Sequence, residues 1–292
     1  MRISPETTRV GFVGLGIMGQ SMAGHLQKAG YELHVFNRTK SKTDALVQRG
    51  ALWHDTPGEV AANSNVVITM VGYPADVEHV YLESGGIIDN ALNDTYLIDM
   101  TTSEPSLAVR IAEAAGSKGL HCLDAPVSGG DVGAKNATLS IMVGGTEADF
   151  EVVKPLFDIM GENVRLQGGP GAGQHTKMCN QIVVAGNMLA VAEGLTYARK
   201  SGLDPEEVLK SIGTGAAQSF LLNGLGPKMI AGDFAPGFFV HHFIKDMTIA
   251  LKEADAMGAD LPGLRTAKGL YEKVAEAGAR EDGTQALIKA YD

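Results

Sequence analysis

Residues 10–26 read VGFVGLGIMGQSMAGHL. An apolar run ends at Gly14, and Gly16 and Gly19 complete a G-x-G-x-x-G spacing that opens an amphipathic segment, MGQSMAGHLQKAG. In a chain with 37 glycines that spacing alone is weak. Its position between a strand pattern and a helix pattern gives each glycine a physical task. Gly14 permits the turn, Gly16 lets backbone approach a diphosphate, and Gly19 allows close helix–strand packing. The helix start then offers N–H donors and positive potential to phosphate. The stretch predicts a dinucleotide-binding βαβ unit.

Outward from it, RVGFVG (9–14), ELHVFN (32–37), NVVITMV (65–71), TYLIDM (95–100) and LHCLDA (120–125) read as strands bounded by turn residues. Helical segments lie between them, and TLSIMVGG (138–145) and NVRLQG (163–168) add strands at the far end. This alternation predicts an α/β domain of the Rossmann type with a parallel sheet over 1–168. From 169 to 292 the pattern becomes helical. DPEEVLKSIGTG carries an N-cap aspartate and a proline at the first helical position, and two later segments are amphipathic at helical period. An all-helical second domain with a long interdomain helix is expected.

Composition sets further bounds. The formal net charge of −10 argues against a broad nucleic-acid surface, which is normally basic. Two cysteines build no disulfide framework, the N-terminus lacks a signal-peptide core, and polar residues interrupt the longest apolar stretch. A cytoplasmic protein without membrane partners is expected. None of the eight histidines falls in a compact ligand pattern, so no metal is expected, and His241 and His242 should point apart in any regular element.

The second strand pattern ends HVFNRTKSK. An NAD-preferring fold places an acid there for the ribose 2′-hydroxyl. This chain offers Asn37, Arg38 and Thr39, which suits the 2′-phosphate of NADP, with NAD possible at lower affinity. Further on, DAPVSGG (124–130) brings Ser128 with the backbone of Gly129 and Gly130 into a turn able to cradle an anion.

GGPGAGQHTKMCNQIVVAGNMLAVAEG (168–194) has one cation, Lys177, ahead of a neutral helical run, with Asn180 and Gln181 on the lysine's own face. The glycine-rich run places Lys177 near the helix start, where the macrodipole disfavours a cation. Such a position suits proton transfer better than structural stability, because the dipole and desolvation both lower a lysine pKa.

GFVGLGIMG (11–19), DMTTSEP (99–105), DAPVSGG, GAGQHTKMCNQ (171–181) and FIKDMTIALKEA (243–254) together resemble the β-hydroxyacid dehydrogenase family in order and spacing. The resemblance implies reduction or oxidation of short β-hydroxyacids and their semialdehydes, with Lys177 as general acid/base. It implies that Ser128, Gly129 and Gly130 hold the substrate carboxylate and that Thr102 lies near nicotinamide and substrate. Phe238 and Asp246 match positions at which the second domain closes the site. Leu15, Ile17, Met18, Met70, Val71 and Lys245 join the cofactor contacts. Many members have asparagine where this chain has Gln181, so Asn180 and Gln181 share the task of holding the lysine. A homodimer or homotetramer through the helical domain is also implied. An imine reductase-like enzyme and a non-catalytic NADP-binding module are the alternatives; Lys177 argues against the first, and Lys177, Ser128 and Asp246 together argue against the second.

Overall fold

A computed structural model describes residues 2–291, which form two compact units dividing between Lys177 and Met178. In the first, β1 (Arg9–Val13), β2 (Glu32–Phe36), β3 (Leu52–Trp53), β4 (Val66–Thr69), β5 (Tyr96–Asp99) and β6 (His121–Asp124) are followed by β7 (Val127–Ser128), β8 (Leu139–Gly144) and β9 (Gly161–Gly168). They make one sheet in the order β3-β2-β1-β4-β5-β6-β8-β7, with β9 paired to β8. From β1 to β6 every pairing is parallel.

The central strands are buried on both faces, which is why they read as unbroken apolar runs. Val66 and Ile68 of β4 join the core that holds Phe12, Met22 and Leu26, while Val67 between them faces Val13, Tyr81 and Ile111. Helices Ile17–Lys28, Pro74–Leu82 and Pro105–Gly116 supply these apolar faces.

The expectation of a parallel sheet needs one correction. β8 runs antiparallel to β6 and β7, and β9 is parallel to β8. Only the short helix Gly130–Asn136 separates β7 from β8, too little chain for a parallel crossover. The two-residue strands β3 and β7 carry no periodicity and gave no signal in the sequence.

Two carboxylates stand side by side where the sheet ends. Asp99 and Asp124 are register partners at the ends of β5 and β6, and both are buried. Asp99 Oδ1 accepts from the Thr69 hydroxyl at 2.7 Å and from Thr101 N at 3.1 Å. Burial pushes its pKa up to about 6, against the pull of those donors. Asp124 is also raised by burial, and accepts from Gly171 N at 2.7 Å and Gln174 N at 2.8 Å. It thereby caps helix Ala172–Lys200 from outside.

The cap changes the expected place of Lys177. With the helix beginning at Ala172, Lys177 lies in its second turn rather than at its start. The macrodipole fades within the first turn, and the lysine is buried there, at 7 % exposure. The glycine run is used for close approach: a Cβ at Gly173 would lie 2.4 Å from Met142 O.

By length and composition this 29-residue helix is apolar enough to cross a membrane. Its Ala185, Met188, Ala192 and Leu195 instead pack in the core of the second unit, against Phe243, Met247 and Tyr271. Helices Pro205–Ile212, Phe220–Ala231, Val240–Ala256 and Pro262–Val274 complete that unit. Tyr271, fully buried, donates to Thr284 O at 2.8 Å and fastens the C-terminal segment.

Asp99 makes stability depend on pH. Between roughly pH 4, the ordinary carboxylate range, and about 6, the folded protein holds a proton that the unfolded chain has lost. Stability therefore falls as pH rises through that window. Thermal unfolding across it should show a steeper decline for wild type than for Asp99→Asn. Parallel curves for the two proteins would contradict the raised pKa.

Candidate active site

The strand order turns back between β1 and β4, and open α/β sheets bind ligands outside such a point. Gly14, with φ +97°, leaves β1 there, and a Cβ on it would come 2.3 Å from Met70 O. A Cβ on Gly19 would come 2.0 Å from Gly14 O, so this glycine lets the helix close onto the loop. Gly16 differs: a Cβ there would meet no protein atom within 4 Å. Gly16 is the N-cap of Ile17–Lys28, with no side-chain cap and no acid in the first turn. Uncapped N–H groups beneath an open glycine fit a diphosphate.

The remaining loop residues divide between structure and surface. Leu15 is fully buried and Met18 packs against the core, whereas Ile17 is largely exposed. Met70 N donates to Val13 O at 2.9 Å, and Val71 N to Thr101 Oγ1 at 3.0 Å. These two backbone donors are therefore engaged within the protein.

Beside this loop lies the basic turn. Asn37 Oδ1 accepts from Leu15 N at 2.8 Å and its Nδ2 donates to Thr39 O at 2.8 Å. Asn37 is thus first a brace between the glycine loop and the basic turn. Arg38 is 90 % exposed in its side chain, with Nη1 3.5 Å from Asp76 Oδ1. Thr39 is exposed, and the Lys40 ammonium sits 3.4 Å above the centre of the Trp53 ring. Together these donors can take the 2′-phosphate of a dinucleotide.

Thr102 follows β5 between two almost fully buried neighbours, Thr101 and Ser103, and is itself half-buried. Ser128 closes β7, and Gly129 and Gly130 after it have φ +130° and +62°, conformations that exclude most side chains. The turn leaves Ser128 half-buried and both glycines exposed. Gln174, fully buried in the first turn of the long helix, was not singled out from the sequence, although it stands within the quoted motif. Its Nε2 donates to Thr101 O at 2.7 Å and its Oε1 accepts from Ser103 N at 2.9 Å.

In the second unit the polar residues following Lys177 form a chain. Asn180 Nδ2 donates to Gln181 Oε1 at 2.7 Å, and Gln181 Nε2 donates to Asp246 Oδ2 at 2.5 Å. Lys245 Nζ stands 3.0 Å from Asp246 Oδ1, a close ion pair without hydrogen-bond alignment. Asp246, at 1 % exposure, is no surface ion pair. Gln181 is the link that ties the helix carrying Lys177 to this carboxylate.

Phe238 stacks on His242, with ring centres 6.5 Å apart, and packs against Phe243. Burial, then the neighbouring His241 and Lys245, push the His242 pKa down to about 4. The adjacent histidines do not point apart as the sequence suggested. Their ring centres are 4.2 Å apart, since in the first turn of Val240–Ala256 the His241 ring turns back to Arg280 O at 3.1 Å. Among the described residues, no three His, Cys, Asp or Glu side chains gather as a metal site.

Comparison with known proteins adds independent information. Residues 9–169 match the NAD-binding domain of 6-phosphogluconate dehydrogenase, and 171–291 match the family described as NAD-binding of NADP-dependent 3-hydroxyisobutyrate dehydrogenase. An uncharacterised oxidoreductase of Bacillus subtilis is 57% identical over 97% of this chain and 98% of its own length. The 2-hydroxy-3-oxopropionate reductase of Escherichia coli is 40% identical over 97% of each. The structure of Mycobacterium tuberculosis 3-hydroxyisobutyrate dehydrogenase with L-serine superposes with a TM-score of 0.90 at 31% identity, covering 97% of this chain and 98% of that one. With a dinucleotide-binding sheet in its first unit and relatives matched along nearly its whole length, the chain belongs to the β-hydroxyacid dehydrogenase family and is an NAD(P)-dependent oxidoreductase.

Proposed function

We propose that the enzyme interconverts a short β-hydroxyacid and its semialdehyde, with NADP(H) preferred over NAD(H) and Lys177 as the proton-transfer group. The observation that carries this reading is the buried Lys177 on the helix whose first turn holds the Thr101–Ser103 segment. The bound nicotinamide supplies or accepts the hydride. Lys177 Nζ carries the proton that a carbonyl oxygen needs on reduction, and takes it back on oxidation. Thr102 orients the substrate beside it, while Ser128 with Gly129 and Gly130 anchors the carboxylate. Asn180 and Gln181 keep the lysine's helix face polar, and the Gln181–Asp246 hydrogen bond fixes that face in place.

The diphosphate rests on the N–H groups of Gly16, Ile17 and Met18, with Gly14 and Gly19 shaping the loop. Val71 and Met70 line the same end of the sheet. Arg38 takes the 2′-phosphate, supported by Thr39, and the match to a family described as NADP-dependent agrees with that preference. The relatives' substrates point to three- and four-carbon oxo-acids, since one reduces 2-hydroxy-3-oxopropionate and another is a 3-hydroxyisobutyrate dehydrogenase. Two free cysteines suit a reducing compartment, and a cytoplasmic homo-oligomer assembled through the helical unit completes the proposal.

Oxidation of NADPH should be followed by absorbance with glyoxylate, succinic semialdehyde, tartronate semialdehyde and methylmalonate semialdehyde, using wild type and Lys177→Ala. One substrate should turn over, with a loss of about 10²-fold or more in the variant and NADPH binding retained. Equal activity in the variant, or none in a wild type that binds NADPH, would remove the reading.

Cofactor choice has its own test. Arg38→Ala should lower kcat/KM for NADPH by roughly 10- to 100-fold, the value of a charge-assisted hydrogen bond, and leave that for NADH within about threefold. An equal loss with both cofactors would show that Arg38 does not read the 2′-phosphate.

A further inference from the structure

We propose that Gln174 is a positioning residue for the reaction: its carboxamide sutures the Thr101–Ser103 segment to the helix that carries Lys177. The inference rests on the catalytic reading of Lys177 and Thr102 given above.

Gln174 is fully buried and both ends of its carboxamide are used. Nε2 donates to Thr101 O at 2.7 Å and Oε1 accepts from Ser103 N at 2.9 Å. The pair of bonds straddles Thr102, so the carboxamide grips the peptide units on either side of that residue. An amide offers a donor and an acceptor on the same planar end at any pH, without carrying a charge. A backbone segment that presents one carbonyl and one N–H is its natural complement.

Other contacts hold the same segment from the sheet side. Asp99 Oδ1 accepts from Thr101 N at 3.1 Å, and Thr101 Oγ1 accepts from Val71 N at 3.0 Å. Thr101 and Ser103 are each 1 % exposed, which leaves Thr102 as the residue of the three with a side chain toward the open side. On the helix side, Gln174 N is held by Asp124 Oδ2 at 2.8 Å, so the gripping residue is itself fixed to β6. Lys177 follows three residues later, on the same helix face.

The arrangement forms a closed frame: β5, the Thr102 segment, Gln174, the first helical turn, Asp124 and β6, with β5 and β6 paired in the sheet. Removing the carboxamide opens the frame at one edge. Asp124 would still start the helix and Asp99 would still hold Thr101, so the fold has other supports. What loses its restraint is the separation between Thr102 and Lys177. Misplacement of a reacting group by about 1 Å can cost on the order of 10²-fold in rate.

The test uses Gln174→Met, which keeps the length and removes both hydrogen bonds, and Gln174→Glu, whose introduced carboxyl restores both only when protonated. Each is assayed with NADPH and the four substrates named above, alongside wild type and Lys177→Ala, with cofactor binding read from NADPH fluorescence and folding from thermal unfolding. Gln174→Met should lose about 10- to 100-fold in kcat, with NADPH affinity within about threefold of wild type. In a Lys177→Ala background it should lose little more, because the alignment no longer matters. The ratio of Gln174→Glu to wild-type kcat should rise as pH falls from about 8 to about 5.5, burial having raised the introduced carboxyl above its ordinary range. The ratio for Gln174→Met should stay flat.

A folded Gln174→Met enzyme with wild-type kcat would overturn the role, as would a loss confined to melting temperature, or a full additional loss in the Lys177→Ala background. If Gln174→Met does not fold, the pH ratio of Gln174→Glu decides the matter, and a flat ratio overturns the role. A wild type that binds NADPH but reduces none of the four substrates removes the catalytic reading first, and this role with it.

Discussion

The start of the long helix depends on one buried carboxylate. A helix leaves its first N–H groups without partners, and here Asp124 accepts from Gly171 N and Gln174 N across the end of the sheet. Burying that charge is unfavourable, as its raised pKa records, and the donors compensate only because they are brought within 2.8 Å. That distance in turn requires small residues on both sides. A Cβ at Gly144 would come 2.4 Å from Asp124 Oδ1, and one at Gly173 would come 2.6 Å from Asp124 O. The glycine-rich run ahead of Lys177 is therefore a docking surface for a carboxylate. The helical register it sets places Gln174 in the first turn and Lys177 in the second.

The fold was legible where burial imposes a period. VVIT and YLID are buried at every position, so their apolar runs name the central strands of a parallel sheet directly. The glycine loop was legible because each glycine answers a separate steric demand, and those at 14 and 19 are met by backbone oxygens within 2.3 Å. The antiparallel end of the sheet was not, since β7 has two residues and its direction follows from the brevity of a connection rather than from any pattern. The site divided in the same way. Lys177 stood out as a lone cation in a neutral run, and Ser128–Gly130 as a turn with unusual backbone. Gln174, Asp99 and Asp124 did not, because their chemistry depends on partners far along the chain, as in the 73-position separation of Gln174 from Thr101 and the 30-position separation of Asp99 from Thr69.

The buried polar groups of the two units follow one rule by different means. In the first, burial raises the pKa of Asp99 to about 6, so that it takes up a proton below that pH, while hydroxyl and amide donors support its charged form. In the second, Asp246 keeps a cation, Lys245, at 3.0 Å and receives Gln181 as a donor at 2.5 Å. A carboxylate removed from water must be protonated, hydrogen-bonded or paired. The first solution couples the sheet to pH, and the second commits two charged side chains to each other.

Asn37 has a consequence for redesign. Exchanging the residue at the end of β2 for an acid is the obvious route from an NADP enzyme to an NAD enzyme, because the ribose hydroxyls then gain an acceptor. Here the carboxamide already joins two loops, accepting from Leu15 N and donating to Thr39 O. A carboxylate would keep the first bond and set a negative oxygen against the Thr39 carbonyl, loosening the turn. In this scaffold the residue after β2 is already committed to the loop's own support, so a specificity switch written at that position would erase part of the surface on which it is written.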